Sequence, residues 1–379
     1  MRRIVIVGAG PAGLTAGREL RRLGFDGELT VIGAEPHAPY RRPPLSKEFL
    51  RADVDLGLRG GEELAADWRL GQAATGLDLA GRQVLCGPGE PVAFDGLVIA
   101  TGLRARTLPG ASRRPGVIAL RGVDDALALR AALSSRPRVV VAGGGFLGVE
   151  LALTLRSMDL PVTLVASDRV PLRAPLGDHA GGIIAGLLRE SGVALRLGRR
   201  VAAAQGDDRL EHVRLDDGAV LPAGLLVAAI GVEPASDWLR DSGLRLDEGV
   251  VVDRAGLAAP GVAAAGDVAR RPHPLWEGRL LRVEHHGDAV EQGAGAARAL
   301  LGRPLPAPPI PAFWSDLGRH RLQGVGFTGA RYEARLVRHE ADHRFLIEYR
   351  SAGRLVGAAA AGFTGALLRY RTRITEEMT

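Results

Sequence analysis

The sequence predicts an α/β protein with two Rossmann-like dinucleotide-binding domains and a small C-terminal α+β domain. Three observations carry this. A β-branched strand that runs into a glycine turn and then into a helical pattern occurs twice, at 3–13 and at 139–148. Each copy is followed later by an apolar strand that stops at a glycine, 96–102 after the first and 223–231 after the second. Past a proline-rich stretch at 304–311, segments 335–339 and 345–349 alternate in the manner of antiparallel strands.

In the first copy, Ile4, Val5, Ile6 and Val7 make the strand and Gly8-Ala9-Gly10-Pro11-Ala12-Gly13 the turn. Leu14, Leu20 and Leu23 mark the helix, Gly24 ends it, and a second strand follows at 29–32. The second copy has Val139, Val140, Val141 and Ala142, then Gly143-Gly144-Gly145-Phe146-Leu147-Gly148, a helix through Leu155 and a strand at 162–165. In such a turn the first glycine permits the tight bend and the second lets backbone amides approach a pyrophosphate. The third lets the helix pack on its strand, so the helix N-terminus faces the phosphates. Two copies in matched contexts predict two bound dinucleotides. The expected division is a first domain at 1–108 that resumes at 232–307, a second at 109–231, and the tail domain at 308–379.

At 379 residues, 46% hydrophobic and 24% charged, the chain suits two or three globular domains. The apolar start is too short for a signal-peptide core and no later run reaches about 18 apolar residues, so a cytoplasmic location is expected, with no membrane partner. The single cysteine, Cys86, sits before Gly87-Pro88 in what reads as a hairpin. It excludes an intrachain disulfide, a CxxC redox pair and a cysteine metal cluster. A net charge of +6 comes from arginines scattered among acids, without the blocks of a nucleic-acid protein. An acidic protein partner fits that pattern better.

Forty-eight of the 49 basic residues are arginine, and the one lysine is Lys47. Where arginine serves nearly everywhere, a retained lysine points to a place that needs a compact ammonium with three rotatable donors. The alternatives for Lys47 are an active-site group or a solvated residue where Ser46-Lys47-Glu48 starts a helix. Glu35, three residues past the second strand, stands where an acid accepts hydrogen bonds from a ribose diol. The corresponding place in the second copy reads Ala166-Ser167-Asp168-Arg169, with the acid late or missing. Ser167, Arg169 and Arg173 then favour a 2′-phosphate and lean the reading to NADPH, whereas Asp168 swinging in selects NADH. Asp267, after the small-residue strand that ends at Gly266, suits either a ribityl hydroxyl or an ordinary helix N-cap.

The segments Pro39-Tyr40-x-Arg42-Pro43-Pro44-Leu45-Ser46-Lys47, Ala100-Thr101-Gly102, the second glycine turn with Glu150 behind it, Gly266-Asp267, Arg282-x-Glu284 and Phe313-Trp314-Ser315-Asp316 occur in that order. Together they resemble the oxygenase-coupled NAD(P)H-ferredoxin reductases of the putidaredoxin reductase type, over nearly the whole chain. The resemblance implies FAD on the first domain, with contacts at Gly8, Gly10, Pro11, Ala12, Gly13, Glu35, Arg42, Lys47, Ala100, Thr101, Gly102, Arg106, Gly266, Asp267, Glu284, His285, His286 and Trp314. It implies the nicotinamide nucleotide, NADH or NADPH, on Gly143, Gly145, Phe146, Leu147, Gly148, Glu150, Ser167, Arg169 and Gly231. Lys47 and Glu150 would be the catalytic pair beside the flavin, a cation for negative charge developing on the reduced ring and an acid that fixes it.

The activity so implied is hydride transfer from NAD(P)H to FAD N5, followed by single electrons to a [2Fe-2S] or similar ferredoxin that supplies a monooxygenase or Rieske dioxygenase. An acidic ferredoxin would dock near Arg41, Arg319 and Arg321, and the chain would be a monomer or homodimer. Rubredoxin reductase and stand-alone NAD(P)H oxidase share these motifs. A flavin-bearing signalling protein like the apoptosis-inducing-factor relatives is an alternative of another class. Disulfide reductases need a cysteine beside the flavin that this chain does not offer. Three departures stand out: His286 where the family has tryptophan, the missing second acid, and a short tail. The pair His285 and His286 lacks a third clustered ligand, so no metal is expected.

Overall fold

Ile4, Val5, Ile6 and Val7 are each exposed by 2% or less, as a strand covered on both faces requires. They form the strand Arg3–Val7 near the middle of a six-stranded sheet. The structure, a computed structural model, describes residues 1–87, 89–108, 114–273, 276, 278–307 and 309–378. Pro88 of the expected hairpin, Pro308 of the proline run and the start of the expected second domain at 109 lie outside the described residues. Two units are present. One comprises Met1–Arg41, Leu56–Arg104 and Glu233–Pro311, the other Arg42–Asp55, Ala105–Val232 and Ala312–Thr379.

In the first unit the sheet runs Leu257–Ala259, Val262–Ala264, Gly96–Ile99, Arg3–Val7, Glu28–Gly33, Asp67–Leu70. All neighbours are parallel except the edge hairpin of the first two. The period of two sends Ile4 and Ile6 into one core, with Leu14, Leu20 and Leu300, and Val5 and Val7 into another, with Leu77, Val84 and Phe94. The first core is closed by helices Pro11–Arg22 and His286–Leu300. They approach so closely that a Cβ on Gly293 would lie 2.3 Å from the Ala12 carbonyl oxygen. The second core is covered by the antiparallel strands Gly76–Asp78, Gln83–Leu85 and Val92–Ala93. Cys86 leaves the middle one and is buried there, where desolvation raises its thiol pKa. The helix signal at Gly24 acts as read: Gly24 takes φ +87° and Phe25 N–H donates to the Leu20 carbonyl at 3.0 Å.

The second unit contains five parallel strands in the order Ala194–Leu197, Val162–Ala166, Val139–Ala142, Leu225–Ala228, Val117–Ala119. Helix Phe146–Arg156 follows the central strand, and all its residues from Gly148 to Leu155 are buried. The tail is a five-stranded antiparallel sheet, Ala312–Leu317, His320–Gly326, Arg354–Ala361, Phe345–Ser351, Glu333–His339, with helix Leu367–Met378. Tyr370 ties that helix to the sheet by donating to Glu348 at 2.8 Å. The segment 42–55 contributes a 3-10 turn, Pro43–Ser46, and a short helix, Glu48–Arg51. Leu45, Phe49 and Leu50 anchor it, and Arg130 pairs with Asp53 at 2.6 Å.

Candidate active site

The two glycine turns have one geometry. Gly8 takes φ +116° and a Cβ there would lie 2.1 Å from the Ala100 carbonyl oxygen; Gly143 takes φ +119° with the same clash, 2.0 Å, at Ala229. Gly13 and Gly148 each press a would-be Cβ to 1.9 Å from the carbonyl of the first glycine of their own turn. Gly10 and Gly145, by contrast, would meet no atom within 4 Å. The outer glycines are therefore demanded by packing, and the middle glycine opens each turn outward. Helices Pro11–Arg22 and Phe146–Arg156 start immediately after the middle glycines, with no side-chain cap on their first amides. Such a cradle suits a pyrophosphate, whose charge complements the helix N-terminus.

Around the first cradle the unit assembles several of the expected residues. The Gly266–Val268 turn packs on the helix start, with a Gly266 Cβ position 3.0 Å from Ala12. Asp267 is half-buried there and lies inside this 3-10 turn; the N-cap of helix His286–Leu300 is His285 instead. The ordinary N-cap alternative for Asp267 thus fails, because the helix begins eighteen residues later than that reading needs. Ala100 and Gly102 follow strand Gly96–Ile99, and Thr101 between them donates to the Ala235 carbonyl at 2.7 Å. Glu35 accepts a hydrogen bond from the Tyr40 hydroxyl, a partner the sequence did not signal because Tyr40 read only as part of the proline segment. Glu284 pairs with Arg282 at 2.9 Å. Burial pushes His285 down to about 4 and lowers His286 too, against the pull of Asp267. Behind them Asp288, raised by burial, accepts from Arg271 at 2.6 Å and from Gln292. Among the described residues no group of three histidine, cysteine or acidic side chains could hold a metal.

In the second unit Lys47 is held tightly. It occupies the junction between the two short helical segments of 42–55, and its side chain is 14% exposed, so the solvated alternative fails. Its Nζ lies 3.0 Å from Glu150 Oε2, donates to the Pro43 carbonyl at 3.0 Å, and lies 3.8 Å from Asp316 Oδ2. Glu150, the fifth residue of helix Phe146–Arg156, reaches Lys47 from a helix whose start the glycine turn fixes. Two serines complete its surroundings: Ser46 donates to Oε2 at 2.9 Å and Ser315 to Oε1 at 2.6 Å, joined by the Asp316 amide at 3.1 Å. The serines were missed as individual residues. Their signal was their position inside the two most distinctive segments.

Other expected residues have their own surroundings. Arg42 donates to the Arg121 carbonyl at 3.0 Å. Arg106 is exposed, and its backbone N–H binds the Gly231 carbonyl at 3.0 Å. Trp314 is 37% exposed beneath the Arg321 guanidinium, 5.7 Å from the ring centroid. Phe146, at the start of its helix next to Leu147, packs on Phe313 with centroids 5.3 Å apart. Arg41 and Arg319 are exposed.

The end of strand Val162–Ala166 changes the nucleotide reading. Ser167 is exposed, and Arg169 makes a two-point contact with Asp178, at 2.9 and 2.7 Å. Arg173 also reaches Asp178, at 3.1 Å, and stands 3.8 Å from Asp168. The Arg169 hydrogen bonds hold the exposed Asp178 carboxyl down to about 2. Both arginines on which the lean to NADPH rested thus contact aspartates. Asp178 escaped the sequence reading because it lies a helical turn inside Arg173–Glu190.

The model for "Pyridine nucleotide-disulphide oxidoreductase" matches residues 2–293. The chlorobenzene dioxygenase ferredoxin reductase component of Cupriavidus sp. (strain PS12) is 40% identical over 331 residues, 85% of this chain and 80% of the relative. The benzene 1,2-dioxygenase system ferredoxin–NAD(+) reductase subunit of Pseudomonas putida is 37% identical, again over 85% of this chain and 80% of the relative. A solved structure of the covalent putidaredoxin reductase–putidaredoxin complex superposes with a TM-score of 0.92 at 29% identity, covering 99% of this chain and 93% of that one.

Proposed function

Because the chain belongs to the pyridine nucleotide-disulphide oxidoreductase family, we propose that it is an FAD-dependent NADH:ferredoxin reductase that serves an oxygenase. The observation that carries this reading is the pair of matched glycine cradles in a chain with one cysteine. Two dinucleotide sites supply an electron donor and a resident acceptor. Without a second thiol no intrachain dithiol can take the electrons onward, which favours an external carrier. Relatives named as ferredoxin reductase components of dioxygenase systems, and a structural neighbour captured with putidaredoxin, support a small iron–sulfur protein as that carrier.

The residues present fit FAD in the first unit. Gly10 leaves the cradle open, Glu35 stands at the end of the second strand with its carboxylate placed by Tyr40, and Asp267 lies on the turn packed against Ala12. When bound, FAD accepts a hydride from reduced nicotinamide and releases the two electrons one at a time. Lys47 supplies the cation for that chemistry, and Glu150 with the Pro43 carbonyl fixes where its ammonium stands. The Gly143-to-Gly148 cradle binds the pyrophosphate of the nicotinamide nucleotide. NADH is the donor of choice because Asp168 and Asp178 oppose a 2′-phosphate at the strand end. The cytoplasm, where that pool lies, is the proposed location; no helix among the described residues is long and apolar enough to cross a membrane.

The test is anaerobic titration of the yellow protein with NADH. Bleaching of the flavin absorption at one equivalent, with reoxidation on adding a [2Fe-2S] ferredoxin, is the expected result. A flavin that NADH leaves oxidised would remove the proposal.

A further inference from the structure

Glu150 is 8% exposed, Ser46 4% and Ser315 1%, so three polar residues from distant parts of the sequence meet away from water. Buried polar groups must satisfy one another. An ionised carboxylate accepts at about four lone-pair positions and donates nothing. Around Glu150 four donors occupy them: Lys47 and Ser46 on Oε2, Ser315 and the Asp316 amide on Oε1.

We infer that Ser46 and Ser315 are positioning residues that lock the two oxygens of Glu150 in place, which makes the Lys47–Glu150 pair a fixed electrostatic element. The inference rests on the reductase reading given above. It assigns the serines a role through Glu150: each locks one carboxylate oxygen, and the locked carboxylate fixes the ammonium. Ser46 does so from the turn beside Lys47 and Ser315 from strand Ala312–Leu317. A fixed charge needs no reorganisation while a hydride moves, and that is its advantage over a mobile one.

Stopped-flow reduction of the FAD-loaded protein by NADH tests this, with Ser46→Ala, Ser315→Ala, Glu150→Gln and the two double variants. Each serine variant should retain FAD and its affinity for NADH, and should slow the hydride step by roughly three- to tenfold. In the Glu150→Gln background the same serine changes should alter the rate by less than about 1.5-fold, because residues acting through one partner are not additive. Serine effects that multiply with Glu150→Gln, or serine variants as fast as the parent, would overturn the inference. If Glu150→Gln is itself as fast as the parent, the role proposed for the ion pair falls as well; if it is slow while the serine variants are fast, only the inference falls.

Discussion

The ammonium of Lys47 lies 3.0 Å from Glu150 Oε2, so the chain's single lysine is engaged by a buried acid more than 100 residues away. The wider guanidinium of arginine cannot enter the same position between Glu150 and the Pro43 carbonyl without displacing one of them. Lys47→Arg should therefore retain FAD but slow reduction by NADH roughly tenfold or more, as measured by anaerobic stopped flow. Lys47→Met should in addition lower Tm by several degrees, because it leaves a buried carboxylate without its counter-ion. A Lys47→Arg protein reduced at the parent rate would make the composition an accident.

Nucleotide choice follows from Asp178. The parent should show higher kcat/KM with NADH than with NADPH. Asp178→Ala releases Arg169 and Arg173 and should raise the NADPH-to-NADH ratio of kcat/KM by roughly tenfold, the equivalent of about 1.4 kcal/mol. An unchanged ratio in that variant would mean that these arginines do not face the 2′ position.

The glycine cradles separate packing from binding. Gly13→Ala drives a methyl against the Gly8 carbonyl and should cost enough stability to be seen in the thermal melt of the FAD-free protein. Gly10→Ala meets no protein atom and should leave that melt within a degree or two while lowering FAD content. Gly145→Ala should likewise keep the fold and FAD yet raise KM for NADH. Comparing melts with cofactor content checks all three.

Acid should destabilise the fold through its buried histidines. Desolvation pushes His273 and His285 from 6.5 down to about 4, so each is neutral when folded while the unfolded chain takes up protons below 6.5. The stability they contribute is present above pH 6.5 and is lost as pH falls toward 4, by up to about 1.4 kcal/mol per pH unit for each histidine. Asp288, raised by burial, acts in the opposite sense at the acid end of that range. Urea melts between pH 7 and 4.5 should show the slope, and His273→Phe should reduce it.

Much of this architecture was legible in the chain because strand and turn signals are local. Ile4 to Val7 and Val139 to Ala142 declare buried parallel strands by β-branching, and Gly8, Gly13, Gly143 and Gly148 stand where no Cβ fits. Lys47 stood out by rarity, and Glu150 only through the family resemblance that the second turn helped carry. What the chain could not show was long-range saturation. Ser46, Glu150 and Ser315 come together only once the turn, the helix and the tail strand have folded, and serine has no periodicity that marks it as buried. Asp178 was invisible for a similar reason: its charge matters only because helix Arg173–Glu190 returns it to Arg169.

Electrons are expected to leave the flavin to an external one-electron carrier without passing through a thiol. Ferredoxin-dependent cytochrome c reduction, driven by NADH and compared between the parent and Cys86→Ser, tests it most directly. Reduction should be fast only when a [2Fe-2S] ferredoxin is present, and equal in both proteins because Cys86 is a buried structural residue. Reduction that ferredoxin does not accelerate, or activity lost with Cys86, would contradict it.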